Sequence, residues 1–404
     1  MRKSNCRYWR LQVLGLGAAD LLLLALTRTP QPETVKGTVV DAGSMTPLSG
    51  VEVAWKSRKV ISDIRGRYEI QLPAGARQVS FTAPNHPVIK KLLILKQGGT
   101  RVNNDALLPS SSGGMPKVLA LDRGSLVSQQ GRKWEPDVSA DSPISLADEY
   151  GNEDQLLTLN MGSGRVHSPV WRNASTILFG REALVHHPGN SGYLGVFQFQ
   201  YESSRIQQVS SGIGIHFLSK SPQRDMLAGA DQKSLYVLES LSSNAGLHRI
   251  FSLPANKGFL LSVAWGPDDR IYFTVDDSVP LDDRHYLSKS RIASIKIDGT
   301  DLQTDWASEA RYSYRYPMAA GLEEMMFGRF ALDGSRQELW IRNTRTGKMQ
   351  LLAEPALRAV YLNSVAKRLY YIYQQELHLR DLHSGADWVI VNSVREADYL
   401  RSVE

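Results

Sequence analysis

Apolar and polar residues alternate with a period of two in short runs along the first third of the chain. In residues 67–72 and 78–82 every second residue is apolar, as in a strand with one buried face. Clusters of Pro, Gly and Asp separate such runs at intervals of about 8–12 residues. Between residues 35 and 109 this pattern predicts a series of short strands, and a small β-sandwich is the architecture that it favours.

The remaining chain, residues 115–404, contains a degenerate repeat. Short apolar strands recur with starts 49, 45, 54 and 44 residues apart, at Ile177, Met226, Ile271, Met325 and Leu369. Residues 337–342 (QELWIR) recur almost literally as residues 375–380 (QELHLR). Each copy reads as four strands in about 40–50 residues, which is the unit of a β-propeller blade. Five copies and a sixth candidate within 117–160 predict six blades, and seven stay open as the alternative.

Residues 1–29 differ from both regions. Four basic residues precede an apolar stretch, residues 11–26, which is expected to form a leader helix. Basic residues before an apolar segment stay on the cytoplasmic side, so the rest of the chain is expected outside the cytoplasm. The stretch is shorter than the roughly 20 residues needed to span a bilayer, which favours a signal peptide. No good cleavage site follows it, so a single N-terminal membrane anchor stays open, as does a buried helix.

The formal net charge of +6 is unevenly distributed. Residues 1–29 carry five Lys/Arg and one Asp, and residues 30–110 carry eleven Lys/Arg and six Asp/Glu, so residues 111–404 are slightly acidic. A nucleic-acid-binding protein concentrates positive charge in its main folded body, and this distribution therefore argues against a nucleic-acid partner. The single cysteine, Cys6, excludes a disulfide framework and a cysteine-rich metal site.

The segment 35–109 resembles the carboxypeptidase regulatory-like domain, a transthyretin-like β-sandwich. Four motifs carry the resemblance: residues 37–41 (GTVVD), 47–53 (PLSGVEV), 62–68 (SDIRGRY) and 72–75 (LPAG). The resemblance implies an accessory module without catalytic residues. The metallocarboxypeptidases that carry this domain need a His-x-x-Glu pair to bind zinc. None of the nine histidines of this chain has a glutamate three residues later.

The repeat region resembles the propellers of Tol-type periplasmic proteins and of prolyl oligopeptidases. Residues 265–269 (WGPDD), 271–273 (IYF) and 297–300 (IDGT) carry this resemblance, which implies a six-bladed propeller. A Gly-x-Ser-x-Gly nucleophile elbow is absent from the sequence. Residues 110–114 (SSSGG) form a Ser/Gly link between the two regions, and this link predicts that the two modules move relative to each other.

Acidic residues around the strand at 271–275 are the candidate metal ligands. Calcium takes six to eight oxygen ligands. A strand advances about 3.3 Å per residue, so the acids before the strand and those after it lie too far apart to share one ion. The feasible calcium site is the loop after the strand, with the ligands Asp276, Asp277, Asp282 and Asp283. A solvated acidic loop without an ion is the alternative.

An aromatic segment, residues 312–317 (YSYRYP), is the candidate contact site. It is interpreted as a loop between strands. Exposed tyrosines beside an arginine are typical of contact surfaces. The sequence therefore predicts a binding role for Tyr312, Tyr314, Arg315 and Tyr316, with packing at a blade edge as the alternative.

Two modules that ordinarily bind or assist, and the lack of a complete catalytic motif, together predict a non-catalytic binding or scaffold protein. The expected location is the cell envelope, whether periplasmic, extracellular or membrane-anchored. The propeller is the expected platform for a protein or polysaccharide partner. Two alternatives stay open: a lyase or hydrolase acting on a sugar polymer in the propeller channel, and an accessory subunit of a separate peptidase. No catalytic residue and no cofactor other than calcium is assigned.

Overall fold

The chain folds into two β modules that pack against each other. The computed structural model describes residues 32–95, 102–109, 119–122, 144–152, 155–157, 164–183, 195–201, 203–241, 246–277, 279–280, 286–287, 289–307, 309 and 311–399. The leader, residues 110–114, Asp282 and Asp283 lie outside these ranges. The described residues form strands and turns without a helix, which confirms the all-β prediction. Accordingly, none of them belongs to an apolar helix of membrane-spanning length.

The N-terminal module is a sandwich of two four-stranded sheets. Its strands are β1 (Glu33–Asp41), β2 (Glu52–Trp55), β3 (Arg58–Ile61), β4 (Arg67–Leu72), β5 (Gly75–Thr82), β6 (Ile89–Leu95), β7 (Val102–Asn103) and β8 (Ala106–Leu108). One sheet has the order β4-β1-β7, with β8 also paired to β1, and the other has the order β3-β2-β5-β6. Exposed and buried residues alternate strictly in β4 because one face of the strand packs on the core.

The repeat region forms six four-stranded sheets, each a propeller blade. Blade 1 contains β9 (Leu119–Asp122), β10 (Ile144–Ala147) and β11 (Gln155–Leu156). Blade 2 contains β12 (Gly164–Asn173), β13 (Thr176–Ala183), β14 (Gly195–Gln200) and β15 (Arg205–Ser211). Blade 3 contains β16 (Phe217–Lys220), β17 (Leu227–Ala230), β18 (Ser234–Leu238) and β19 (His248–Ser252).

The second half of the propeller repeats this arrangement with one insertion. Blade 4 is formed by β20 (Phe259–Trp265), β21 (Arg270–Asp276), β24 (Ser290–Lys296) and β25 (Gln303–Trp306), and the hairpin β22 (Val279–Pro280) and β23 (Tyr286–Leu287) is inserted within it. Blade 5 is formed by β26 (Tyr312–Ala319), β27 (Glu324–Ala331), β28 (Gln337–Asn343) and β29 (Met349–Ala353). Blade 6 is formed by β30 (Arg358–Asn363), β31 (Arg368–Tyr373), β32 (Glu376–Asp381) and β33 (Asp387–Asn392).

The C-terminal strand β34 (Glu396–Tyr399) closes the ring. It pairs antiparallel with β9, so blade 1 takes its inner strand from the C-terminal end and its other strands from residues 119–156. The inner strand of each blade is the one at the edge of its sheet that faces the ring centre. These inner strands contact one another in the order β34, β12, β16, β20, β26, β30 and back to β34. The described strands therefore complete a circle of six blades.

A shared apolar core joins the sandwich to blades 1 and 6. Val40 and Leu107 of the sandwich belong to the same buried cluster as Leu119 of blade 1 and Tyr370 and Ile390 of blade 6. In β8, Leu107 packs in this shared cluster while its neighbour Leu108 packs in the core of the sandwich itself. Both faces of the strand are therefore buried.

Hydrogen bonds at the outer edge of blade 6 reinforce this contact. The Asp105 N–H donates to the Val389 carbonyl at 2.7 Å, and the Val389 N–H donates to Asp105 Oδ2 at 3.0 Å. The amide of Asn392 donates to the Ile94 carbonyl at 2.9 Å. Burial raises the pKa of the Asp105 carboxyl, against the hydrogen bonds that favour its charged form. These contacts count against the independent motion that the Ser/Gly link predicted, because free modules share no core.

Candidate ligand-binding channel

The six inner strands enclose a central channel with a cavity of about 680 Å³. Every blade contributes to its wall, through residues 168–174, 218–222, 263–265, 316–319, 358–360 and 397–398. Ligand sites in proteins are concave and usually measure about 300–1,000 Å³. The channel is therefore large enough for a small molecule or for the end of an extended chain.

Two strained residues face each other across the ring. Ser168 in β12 and Tyr316 in β26 have φ angles of 45° and 55°, in the left-handed region that non-glycine residues rarely adopt. Each precedes a proline, Pro169 or Pro317, and each lies where the inner strand shifts register against its neighbour. Blades 2 and 5 are opposite in a ring of six, so the two bulges lie on opposite walls. Such strain costs about 1–3 kcal/mol per residue and is concentrated at functional sites.

Short side chains tie neighbouring inner strands together. The Ser168 hydroxyl donates to the carbonyl of His216 at 3.0 Å, and the Trp265 N–H donates to Ser219 Oγ at 2.8 Å. The Tyr316 N–H donates to Thr274 Oγ1 at 3.0 Å, which anchors the strained residue to blade 4. These bonds fix the channel wall, so its side chains are held in place before any ligand arrives.

Among the described residues, Asp398 carries the one carboxylate that lines the channel. It lies in the closing strand β34, and its Oδ2 accepts the backbone N–H of Trp171 in blade 2 at 2.7 Å. The bond crosses from the C-terminal strand to the next blade. Asp398 therefore helps to close the ring, and its charge is directed at a backbone donor.

Lys220 brings a positive charge to the same wall. Its Nζ donates to the carbonyl of Ser221 at 3.0 Å. Burial lowers the pKa of the Lys220 ammonium; the charges of Asp225 and Asp398 oppose this shift, and the charge of Arg172 adds to it. Because burial is the largest contribution to this pKa shift, the neighbouring carboxylates compensate only partly for the desolvation of the Lys220 ammonium.

Two arginines complete the set of channel cations. Arg172 is fixed by Gln198 Oε1 at 2.8 Å and by Asp225 Oδ2 at 3.0 Å. Arg358 begins β30, and its guanidinium lies 5.8 Å from the centre of the Tyr316 ring. The channel wall therefore carries three cations, Arg172, Lys220 and Arg358, against Asp398.

The aromatic segment proves to be a strand, and its interpretation as a loop was wrong. Residues 312–319 form β26, the inner strand of blade 5, because the alternating tyrosines fit a pleated strand. Tyr314 is buried and its hydroxyl donates to Glu309; burial raises the pKa of this phenol. The Tyr312 ring lies 4.4 Å from the Arg329 guanidinium. Neither side chain forms the exposed surface that the sequence predicted.

The other two residues of that segment have different surroundings. Arg315 donates to Ser290 Oγ at 2.5 Å and lies 5.5 Å from the centre of the Phe330 ring. Tyr316 lines the channel. Of the four predicted contact residues, Tyr316 alone is part of the channel wall, and its role in binding stays a prediction.

The acidic loop of blade 4 is described in part. Asp277 forms an ion pair with Arg291 Nε at 2.7 Å, and Asp276 ends β21. Asp282 and Asp283 lie outside the described residues. Within the described part of the chain, no three His, Cys, Asp or Glu side chains come together as a metal-binding group. The calcium site stays a prediction, and Arg291 competes for one of its four ligands.

Sequence reasoning missed the channel cations. Aligning the repeats on their second strands places Arg172, Lys220 and Trp265 five or six residues before Ile177, Met226 and Ile271. That position marks the end of the inner strand in three successive blades. The repeat alignment therefore marks two of the three cations, whereas Arg358 lies at the start of its strand, and which side chains converge depends on how the blades meet.

A second cavity, of about 940 Å³, lies between the sandwich and blade 6, beside the contacts that join them. Asp387 organises its propeller wall, accepting hydrogen bonds from the Tyr371 hydroxyl at 2.5 Å and from His378 Nδ1 at 2.9 Å. The His378 ring stacks on Tyr371 with 4.8 Å between centres. The other ring nitrogen of His378, Nε2, is buried without a hydrogen-bond partner among the described residues, and Glu376 Oε2 lies 3.8 Å from it.

No protein-family description and no curated protein matches the chain. Its fold is similar to that of TolB from Acinetobacter baumannii (12% identity, TM-score 0.49, covering 81% of this chain and 80% of TolB). It is also similar to the periplasmic gluconolactonase PpgL from Pseudomonas aeruginosa (12% identity, TM-score 0.42, covering 70% of this chain and 99% of PpgL). A third similar structure is an oligogalacturonate lyase in complex with manganese (11% identity, TM-score 0.36, covering 56% of this chain and 76% of the lyase). At these identities the similarity concerns the fold alone.

Proposed function

We propose that this chain is an exported, non-catalytic binding protein of the cell envelope, with the propeller as its interaction platform and the channel as its ligand site. One observation carries the proposal: six inner strands, cross-tied by hydrogen bonds, hold a preformed cavity of about 680 Å³ in the centre of the ring. A rigid wall lowers the entropy lost on binding, which favours a binding site over a merely structural hole.

The charges of the wall support binding over catalysis. General acid–base chemistry needs a positioned acid and a positioned base near the reacting atoms. Among the described residues, the channel wall holds the single carboxylate Asp398, and that carboxylate bonds to the Trp171 backbone. The sandwich, which resembles an accessory domain, adds no zinc pair to this set. A propeller lyase or hydrolase is the alternative that the test must separate.

Binding is tested by blocking the channel mouth. Ala174 is an exposed turn residue at the mouth, and Ala174→Trp places an indole there. Ala366 is exposed in the equivalent turn of blade 6 and lies outside the channel wall, so Ala366→Trp is the matched control. We expect ligands that raise the melting temperature of the full chain to lose this effect in Ala174→Trp and to keep it in Ala366→Trp.

Turnover and location complete the test. NMR spectra of each bound ligand should stay unchanged after prolonged incubation with the protein, and conversion to a product would favour the enzyme alternative. Fractionation of cells expressing the full chain should place it outside the cytoplasm, in agreement with the leader. A cytosolic full-length pool would contradict the export part of the proposal.

A further inference from the structure

Lys220 has unused hydrogen-bonding capacity in the channel wall. An ammonium has three N–H donors, and one of them is directed at the Ser221 carbonyl. Among the described residues no carboxylate forms an ion pair with Lys220, although Asp225 and Asp398 are close enough to act on its charge. Asp225 is paired with Arg172, and Asp398 accepts the Trp171 N–H. Both neighbouring acids are therefore engaged elsewhere.

The charge balance around Lys220 selects the kind of anion that fits. A compact monoanion can take the spare ammonium donors at a modest electrostatic cost. A dianion, such as a phosphate monoester, brings a second negative charge, which the Asp398 carboxylate of the cavity wall repels. Arg172 does not offset this repulsion, because its guanidinium is already neutralised by Asp225. The site therefore favours a carboxylate.

The rest of the wall is suited to an apolar group. Apolar residues from five of the six inner strands border the cavity: Val170 and Met318 are half-buried and present apolar surface to it, whereas Leu218, Val263 and Val360 are buried in the packed cores of the propeller. The half-buried Tyr316 adds aromatic surface beside them. Burying apolar area yields about 25 cal/mol per Å², so a ligand with a hydrocarbon body gains affinity from this wall.

We infer that the channel binds the carboxylate of an amphipathic ligand, with Lys220 as the counter-charge and the apolar wall holding the ligand body. The inference rests on the proposed function, since it specifies the ligand of the same channel. Such a carboxylate has two sources, a free organic acid and the C-terminal residue of a polypeptide with an apolar side chain.

Stability gives a readout that is independent of binding. Burial lowers the pKa of Lys220 below its unfolded value, so the charged ammonium is disfavoured by folding at neutral pH. A lysine retained only for packing or ion pairing is expected to stabilise the protein. A lysine kept for a ligand can be replaced by Met without lowering the melting temperature in the absence of ligand.

The experiment uses the full chain, isothermal titration calorimetry and two matched pairs of probes. One pair is 4-phenylbutyrate and its neutral amide; the other is a tetrapeptide ending in Leu, with a free or an amidated C-terminus. We expect each carboxylate to bind about tenfold to a hundredfold more tightly than its amide, the range of one charge-assisted hydrogen bond. Tighter binding of the peptide points to a polypeptide tail, and tighter binding of phenylbutyrate points to a free acid.

Variants assign the effect to Lys220. Lys220→Met should remove the preference for the carboxylate without lowering the melting temperature, and Lys220→Arg should keep most of it. Lys348→Met, at an exposed lysine in a turn of blade 5, should bind as the unchanged protein does. Equal binding of acid and amide, or an unchanged preference in Lys220→Met, would overturn the inference.

The outcomes also separate this inference from the proposed function. If the amides bind as well as the acids and Ala174→Trp abolishes both, the channel is a ligand site and the carboxylate inference fails. If neither acids nor amides bind, and a broad ligand panel shows no effect that depends on Ala174, the proposed function fails with it.

Discussion

The contact between the sandwich and the propeller can be tested at Leu107. Leu107 is fully buried in the cluster shared with blades 1 and 6, while Leu108 is fully buried in the core of the sandwich. The two residues are adjacent in β8 and point to opposite faces. Leu107→Ala therefore probes the contact between modules, and Leu108→Ala is a control of the same size and secondary structure.

The expected magnitude follows from burial. A Leu→Ala change at a fully buried position costs about 3 kcal/mol, within a usual range of about 2–5 kcal/mol. Unfolding entropy of about 2.1 cal/mol/K per residue gives about 0.8 kcal/mol/K for a chain of 404 residues. A loss of about 3 kcal/mol therefore lowers the melting temperature by about 4 °C if the two modules unfold together. Leu108→Ala should cost a similar free energy.

Differential scanning calorimetry of the full chain distinguishes docked modules from independent ones. If the modules moved freely, Leu107 would lie on an exposed face of the sandwich, and its replacement would change stability by about 0.5 kcal/mol or less. A loss of about 3 kcal/mol in Leu108→Ala together with no loss in Leu107→Ala would refute the shared core. Comparable losses in both variants, with one cooperative transition, support it.

Three further predictions follow from other contacts. Truncation after residue 395 removes β34, the inner strand of blade 1, so we expect a lower melting temperature and faster proteolysis of the propeller; an unchanged melting temperature would contradict closure by this strand. Hydrogen bonds from Ser44 and His86 lower the pKa of Asp41 in the folded protein to about 2. The charged Asp41 therefore stabilises the fold fully at a pH above its unfolded-state pKa near 4, and this contribution disappears as the pH falls to about 2. Asp41→Asn should therefore lower the melting temperature at pH 6 and have little effect at pH 2, and an equal effect at both would exclude this origin. Because Asp277 is paired with Arg291, we expect millimolar calcium to leave the melting temperature unchanged; a rise that chelator reverses and Asp277→Asn abolishes would instead support the calcium site.

The sequence predicted the repeated parts of the fold because their signals are local. Apolar second strands at nearly constant spacing revealed the blades, and alternation in residues 67–72 revealed the sandwich strands. The strand β34 has no comparable signal, since its partner β9 lies at the other end of the propeller. A pairing between distant segments depends on how the blades between them curve, which no local pattern encodes.

Two features of the sequence carried a signal that was not used, and one of them was interpreted as a loop. The alternation Tyr-Ser-Tyr-Arg-Tyr in residues 312–316 is a strand pattern, although residues 312–317 were interpreted as a loop. In the structure Pro317 lies at a bulge, one of the positions where strands tolerate proline. The apolar run Ala106–Leu108 indicates a strand buried on both faces, and therefore a neighbour beyond the sandwich. The repeat alignment places Arg172 and Lys220 at equivalent positions of neighbouring blades, but it does not show that their charges meet in one channel, because that depends on how the blades pack.

The position of the ring closure links the sandwich to the channel. Blade 1 is the one blade assembled from both ends of the propeller, through the pairing of β34 with β9. The sandwich docks there, since Val40 and Leu107 share a core with Leu119 of β9 and Val394 just before β34. Asp398 of the same strand lines the channel beside Lys220. Docking of the sandwich therefore stabilises the strand that positions one wall of the candidate ligand site.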